Sequence, residues 1–376
     1  MKNWNVEICD VTLRDGEQTP GVCFTTEEKI EIATMIDQVG IEIIEAGFPI
    51  VSDNERTTIK KISSLGLNAK ICCLSRALIG DVDAAIDAGA DIVAIFFGTS
   101  DLHIRHKFKK PRDEVLEDAL TVVDYAVDHG LAIRFSAEDA TRTDMAFLKK
   151  MFALGAEHGA EYSGYADTVG YLTPLEMQRA MQELLPGLNN KICVHCHNDM
   201  GCATANTITA AECGAFQLHT TVNGLGERAG NASLEEVLVA LRLKGGVDRY
   251  DLSLLTELSN LVEARSGVMK TKTKPVVGAH AFAHESGIHI AAMINEPETY
   301  EYVRPELVGA KRTYILGKHT GYKALNHVVT TLGYNLSAEE TQWILEQIKI
   351  ISEGKYAVTQ EVLCSLIGRS REVAHT

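Results

Sequence analysis

Eight short apolar runs alternate with amphipathic stretches over roughly the first 230 residues. That pattern predicts an α/β chain, a (β/α)8 TIM barrel followed by a smaller, mainly helical C-terminal domain. Two more observations agree. Gly40, Gly89, Gly130, Gly159 and Gly214 stand where helices must end before the next strand. Charged and polar clusters follow six of the runs, and a barrel gathers its function at the strand C-termini. A doubly wound sheet is the alternative, but no Gly-x-Gly-x-x-Gly turn follows the first run.

The expected strands are 6–13, 41–47, 69–74, 91–97, 131–136, 162–167, 191–197 and 216–222. Helical stretches lie between them at 26–40, 54–65, 81–88, 112–129, 144–159, 174–185 and 203–214. Thr25-Thr-Glu-Glu28 reads as a capping box opening the first helix. The pattern changes from about residue 250. A helix is expected over 252–266, Lys270–Pro275 reads as a linker, and 337–353 and 359–369 read as helices. The expected division is a catalytic barrel over 1–265 and a linker with a helical domain over 266–376.

A net charge of −15 argues against nucleic acid as a partner. No apolar run is long enough to span a membrane, and Met1-Lys-Asn-Trp-Asn5 is not a signal peptide. Nine scattered cysteines suit free thiols in a reducing cytoplasm. Cys193-Val-His-Cys196 is formally a Cys-x-x-Cys, but in a strand its thiols point to opposite faces, which excludes a zinc knuckle or redox pair.

The polar clusters carry the chemistry. Thr12-Leu-Arg14-Asp15-Gly16-Glu17-Gln18 follows the first run and Glu45-Ala-Gly-Phe-Pro49 the second. Arg134-Phe-Ser136-Ala-Glu138 ends the fifth, Ala166-Asp167-Thr168 the sixth and His195-Cys-His197-Asn-Asp199 the seventh. Strand alternation puts His195 and His197 on one face. With Asp15, and with Asn231 adding a carbonyl oxygen, they form a mixed O/N set suited to catalytic Mg, Mn, Co or Zn. Such an ion chelates an α-keto acid and polarises its ketone. Arg14 offsets the charge that forms on the ketone oxygen, and Thr168 donates to a substrate carboxylate. The glycine-dense loop 223–231 lets backbone at Asn223, Gly224 and Gly226 approach a large cofactor closely. In the basic run 105–112, most side chains read as a solvated face and a few as contacts for cofactor phosphates.

Asp-x-Thr-Leu-Arg-Asp-Gly-Glu-Gln at 10–18, the histidine motif at 195–199 and Asn-Gly-Leu-Gly-Glu-Arg-Ala-Gly-Asn at 223–231 resemble the signatures of the metal-dependent Claisen-condensing synthases. That group includes 2-isopropylmalate, citramalate and homocitrate synthases. Glu285-Ser-Gly-Ile-His289 and Leu316-Gly-Lys-His-Thr-Gly321 match its post-barrel segment, so the resemblance covers nearly the whole chain. It implies an acyltransferase that joins acetyl-CoA, its co-substrate, to an α-keto acid and releases CoA. It implies Asp15, His195 and His197 as metal ligands with Asn231 as a weaker fourth, and Arg14 as the residue steadying the keto oxygen. Glu138 and His289 match a pair proposed to deprotonate the acetyl methyl group. A catalytic tyrosine is Tyr300 or Tyr302. A homodimer with exchanged C-terminal domains follows by analogy, and leucine feedback through a further domain is not expected.

Arg134 bears most on the keto acid. On strand alternation it shares the barrel mouth with Ser136 and Glu138, and a guanidinium there stays charged and wants an anion. The Arg-x-Ser pattern also resembles lysine-pathway homocitrate synthases, where these positions bind the distal carboxylate of 2-oxoglutarate. Homocitrate formation is therefore the leading expectation. The alternatives are isopropylmalate or citramalate formation, or a phosphonopyruvate or oxaloacetate substrate. In another class stands a lyase of the 3-hydroxy-3-methylglutaryl-CoA type. Arg134 also has a purely structural reading, an ion pair with Glu161 or another barrel carboxylate.

Overall fold

The computed structural model describes residues 4–374, so Met1–Asn3 of the segment compared with a signal peptide lie outside the described residues. Eight parallel strands close into a barrel: β1 (Glu7–Asp10), β2 (Ile43–Gly47), β3 (Lys70–Arg76), β4 (Ile92–Gly98), β5 (Ala132–Glu138), β6 (Tyr162–Asp167), β7 (Lys191–Cys196) and β8 (Gln217–Thr220). The ring closes where β1 pairs with β8, Glu7 opposite Gln217 through Asp10 opposite Thr220. The connecting helices are α1 (Thr26–Val39), α2 (Asp53–Ser63), α3 (Ile79–Asp87), α4 (Asp101–His103), α5 (Arg112–Asp128), α6 (Met145–Glu157), α7 (Pro174–Leu184), α8 (Ala203–Cys213), α9 (Leu234–Ala240) and α10 (Leu255–Ser266). The turn of α4 runs on as a π-helical segment, Ile104–Phe108.

The strands are buried on both faces, as parallel strands under helices must be, which is why they read as continuous apolar runs. The expected capping box is formed: Thr25 Oγ1 accepts the Glu28 N–H at 3.2 Å, and Glu28 accepts the Thr25 N–H at 2.8 Å. Cys193 faces the barrel interior near Arg134, whereas Cys196 lies near Thr207 on α8, so the two thiols diverge.

Strand bounds differ from expectation by up to three residues, and two of the early ends lie beside Asp15 and His197. β1 stops at Asp10, short of Leu13. Asp10 Oδ1 takes the Thr12 N–H at 2.9 Å, and the N–H groups of Arg14, Asp15 and Gly16 all turn back onto the Val11 carbonyl. The chain thus leaves the sheet in a tight turn that presents Arg14 and Asp15. β7 stops at Cys196, because His197 leaves the ladder for an isolated antiparallel bridge with Asn231.

The chain divides into two compact units, Met1–Lys270 and Thr271–Thr376. The second holds a two-stranded parallel sheet, β9 (Ala283–His284) with β10 (Thr313–Tyr314), and helices α11 (Gly287–Met293), α12 (Tyr322–Thr331), α13 (Ala338–Glu353) and α14 (Gln360–Ala374). Its core is Leu325, Val329, Ile344, Ile348, Leu363 and Ile367 from α12, α13 and α14. Among the described residues, no helix is long and apolar enough to cross a membrane.

Candidate active site

A cavity of about 310 Å³ opens at the C-terminal end of the barrel, lined from β5 by Arg134, Ser136 and Glu138, from β7 by His195, and from just beyond β7 by His197. Arg14, Asp15 and Thr168 add to its polar wall, as do Gln18, His219, Glu227 and Arg228, and Leu74 and Phe96 supply apolar surface. All three polar residues of strand five therefore face the cavity. Gly164 on β6 makes room, since a Cβ there would overlap Ser136 Oγ.

Asp15, His195 and His197 converge, with one ligand atom from each inside a span of 4.8 Å. Asp15 Oδ2 lies 3.3 Å from His195 Nε2 and 3.9 Å from His197 Nε2, and the two Nε2 atoms are 3.2 Å apart. Burial alone would raise the Asp15 carboxyl, but Arg14 and the two histidines outweigh it and hold the group well below the usual carboxylate range. His197 is pushed down to about 4 by burial, with His195 adding to the effect, so its ring is neutral near pH 7. An ionised carboxylate and a neutral imidazole are ligand-competent forms.

Asn231 adds a further sign. Its Nδ2 donates to Asp15 Oδ1 at 3.1 Å and to the Leu225 carbonyl at 2.9 Å, while its buried Oδ1 has no hydrogen-bond partner among the described residues. Buried acceptors are rarely left bare. The donor set, two imidazoles and a carboxylate beside an unused amide oxygen, fits a divalent cation.

The loop glycines serve this arrangement. At Gly226 (φ +151°) a Cβ would overlap Asn231 Nδ2 and crowd Asp15 Oδ1, and at Gly224 (φ +72°) it would come within 3.2 Å of the Asn231 carbonyl. Asn223 (φ 62°) exchanges hydrogen bonds with Ser259 on α10, at 2.9 and 2.6 Å. None of the three lines the cavity. The glycines let Asn231 reach Asp15, and Asn223 ties the loop to α10.

At the other end Glu45, fully buried, bridges two arginines. Arg14 Nε donates to Glu45 Oε1 and Arg134 Nη2 to Glu45 Oε2, while Arg14 Nη1 reaches Asp15 Oδ2 at 2.6 Å. Burial would raise Glu45, but the two guanidinium groups bring it down to about 2. Arg134 Nη1 also donates to Gln217 Oε1 at 3.2 Å and His219 Nε2 at 3.1 Å, and only Nε lacks a partner among the described residues. This corrects the premise that Arg134 stands unpaired without a substrate anion; the barrel carboxylate that meets it is Glu45, not Glu161.

Thr168 Oγ1 accepts the Asp139 N–H at 2.8 Å, joining the β5 and β6 loops. Glu138 is gripped by Lys107 Nζ at 2.6 and 2.8 Å, and His103 Nδ1 stands 3.5 Å away. In the basic run Lys107 is drawn to a cavity carboxylate, while Lys110 and Arg112 pair with carboxylates elsewhere on the surface. His289 lies in the second unit, where its ring stacks on Tyr300 with centroids 4.0 Å apart. Tyr300 is half exposed and Tyr302 is 81% exposed.

Sequence reasoning singled out the Glu45 motif without giving the carboxylate a role. It missed Gly164 and Lys29 entirely; Lys29 is a fully buried lysine on α1.

The HMGL-like family model matches residues 5–262, and the homocitrate synthase post-HMGL domain-like model matches residues 276–356. The chain is 50% identical to homocitrate synthase AksA of Methanosarcina mazei over 98% of its own length and 91% of that protein's. It is 48% identical to (R)-citramalate synthase CimA of Methanocaldococcus jannaschii over 95% of its own length and 73% of that protein's. Among solved structures, the HMG-CoA lyase of Bacillus subtilis superposes with a TM-score of 0.64 at 22% identity, over 71% of this chain and 96% of that one. At that identity the likeness concerns the barrel fold alone.

Proposed function

The chain belongs to the HMGL-like family, and we propose that it condenses acetyl-CoA with an α-keto acid bearing an anionic tail, 2-oxoglutarate first, giving homocitrate and free CoA. One observation carries the reading. The Asp15–His195–His197 triad, Arg14 and Arg134 meet in one cavity, so a chelating keto-acid head and an anionic tail each have a counterpart there. Kinship with homocitrate synthases along nearly the whole chain supports it.

Asp15, His195 and His197 would hold a divalent cation, with Asn231 Oδ1 as a fourth donor; Mg, Mn, Co and Zn all suit the set. Such an ion supplies Lewis-acid polarisation of a chelated ketone. Arg14, paired with Asp15 and Glu45, neutralises charge as the ketone oxygen becomes an alkoxide. The acetyl methyl loses a proton to a base, its carbon bonds to the keto carbon, and water then cleaves the thioester to release the thiol. Glu138 lies on the cavity wall and is the base of this reading, assisted by His289. Ser136 and Thr168 bind substrate oxygens.

The second unit completes the site in trans, in a homodimer with exchanged C-terminal domains. Large apolar side chains stand exposed on the segments that follow five strands, at Val51, Leu78, Leu102, Tyr171 and Met200, and Ile288 is exposed beside His289. Apolar rims of this kind mark contact surfaces. Tyr300, stacked on His289, is the catalytic tyrosine of this reading. Free cysteines throughout suit a cytoplasmic setting.

The Arg134–Glu45 pair favours a second reading, an uncharged keto-acid tail as in isopropylmalate or citramalate formation, because Arg134 already has its anion. Thiol release from acetyl-CoA decides between them, measured with 2-oxoglutarate, 2-oxoisovalerate, pyruvate, oxaloacetate and phosphonopyruvate on wild type and Arg134→Ala. The expected result is a loss in the variant confined to acids with an anionic tail. Wild-type and variant activity that is equal on 2-oxoisovalerate and absent on 2-oxoglutarate transfers the assignment to the second reading. Silence with all five counts against a synthase and for a lyase, tested by cleavage of 3-hydroxy-3-methylglutaryl-CoA.

A further inference from the structure

Lys29 is 1% exposed, although a lysine is almost never buried unless its charge is met. Its Nζ pairs with the Glu17 carboxylate at 2.6 Å and donates to the two oxygens of Glu55 at 2.9 and 2.8 Å and to the Leu13 carbonyl at 3.2 Å. Two of these partners bracket the reactive turn, since Leu13 directly precedes Arg14 and Glu17 follows Gly16. The third fixes the clamp to the neighbouring strand. Glu55 reaches from α2 to the end of β2 and accepts the Phe48 N–H at 3.4 Å. Gly47 makes that approach possible, because a Cβ there would overlap Glu55 Oε1. Glu17 in turn accepts the Phe24 N–H at 2.9 Å, which holds the loop that leads into α1.

We propose that Lys29 is a positioning residue whose ammonium grips the β1 turn on both sides of Arg14 and Asp15, holding them in register with His195 and His197. The inference rests on the reading of the triad as a metal site. A lysine that merely packs α1 against the barrel would stabilise the fold and leave the ligand geometry indifferent to Glu17.

The test is Mn(II) binding to the full chain, by calorimetric titration or the EPR signal of free ion, alongside thermal melting. Wild type, Lys29→Met, Glu17→Ala and Asp15→Ala are compared. Supporting groups around metal ligands are commonly worth 10- to 100-fold in affinity, so Lys29→Met is expected to weaken Mn(II) binding by about that factor. Glu17→Ala cuts the downstream grip and leaves Lys29 on Glu55. It is expected to weaken binding about tenfold with little change in Tm, and to raise the KM for keto acid but not for acetyl-CoA. Wild-type Mn(II) affinity in Glu17→Ala overturns the inference, whether or not Lys29→Met folds. A wild-type chain that binds no Mn(II), or an Asp15→Ala chain that binds as tightly as wild type, overturns the metal reading instead.

Discussion

The two ends of the cavity meet their charges in opposite ways. At the β1–β7 end, two imidazole nitrogens and a carboxylate face one another, and Asn231 Oδ1 and His197 Nδ1 are left bare among the described residues. At the β2–β5 end, Glu45 joins Arg14 and Arg134 into a closed network, with Gln217 and His219 adding partners for Arg134. The first end presents donors that a cation would complete. The second is complete by itself, and an incoming anion must share a guanidinium that is already engaged. An open set of donors announces its ligand, whereas a satisfied ion pair makes substrate choice a matter of competition.

Perturbing each end sharpens the contrast. His195→Ala is the largest step. Lewis-acid stabilisation is worth several kcal/mol, so thiol release with the preferred keto acid should fall by roughly 10³-fold, with Mn(II) binding lost in parallel. Intact activity in that variant would sink the metal reading. Glu45→Gln comes next and reports on stability more than on the ion. Removing one partner of a buried pair commonly costs about 3 kcal/mol or more, because a charge is left unmatched. Urea unfolding should show that loss while Mn(II) still binds; an unchanged midpoint would mean that the arginines find other partners.

Asp10, between the two ends at the close of β1, gives the smallest effect. Burial raises its carboxyl to about 7, only partly opposed by hydrogen bonds from Thr12, and the charges of Glu235 and Glu45 add to the rise. The folded chain thus holds this proton where the unfolded chain has released it. The contribution to stability is complete below about pH 4 and is lost as pH rises through 7. Between pH 5 and pH 8 the loss should be roughly 2 kcal/mol, and Asp10→Asn should flatten that slope. A slope unchanged by Asp10→Asn would assign the effect to other groups.

The same contrast explains what was readable in the sequence. Parallel strands under helices leave continuous apolar runs, so the barrel was visible without contacts. His195 on β7 and His197 just past its end keep the spacing of strand alternation, and Asp15 sits at the matching end of another strand; local spacing plus strand order was enough to bring them together. Glu45 and Arg134 are linked only through space, across 89 residues of chain. Nothing local distinguishes an arginine that awaits an anion from one that already holds it. Lys29 was harder still, because on an amphipathic helix a lysine ordinarily points to water, and its buried slot is made by Glu17, Leu13, Gly47 and Glu55 brought together in space. The premature end of β1 was hidden for a related reason: Val11 and Leu13 continue the apolar alternation while Asp10 and the Val11 carbonyl turn the backbone out of the sheet.

The seam of the ring has a consequence for how the chain matures. Asp15 follows the first strand, His195 and His197 flank the end of the seventh, and Asn231 follows the eighth, which must dock on the first to close the circle. The ligand set therefore does not exist in any N-terminal fragment or half-closed intermediate. It is assembled by the last and most sequence-distant pairing, the kind that forms late because its loop-closure entropy is greatest. A cation that binds only the finished set stabilises the closed ring by mass action and leaves open precursors untouched. Ion uptake during refolding would then be a clock for barrel closure, ticking only when the first and last strands have met.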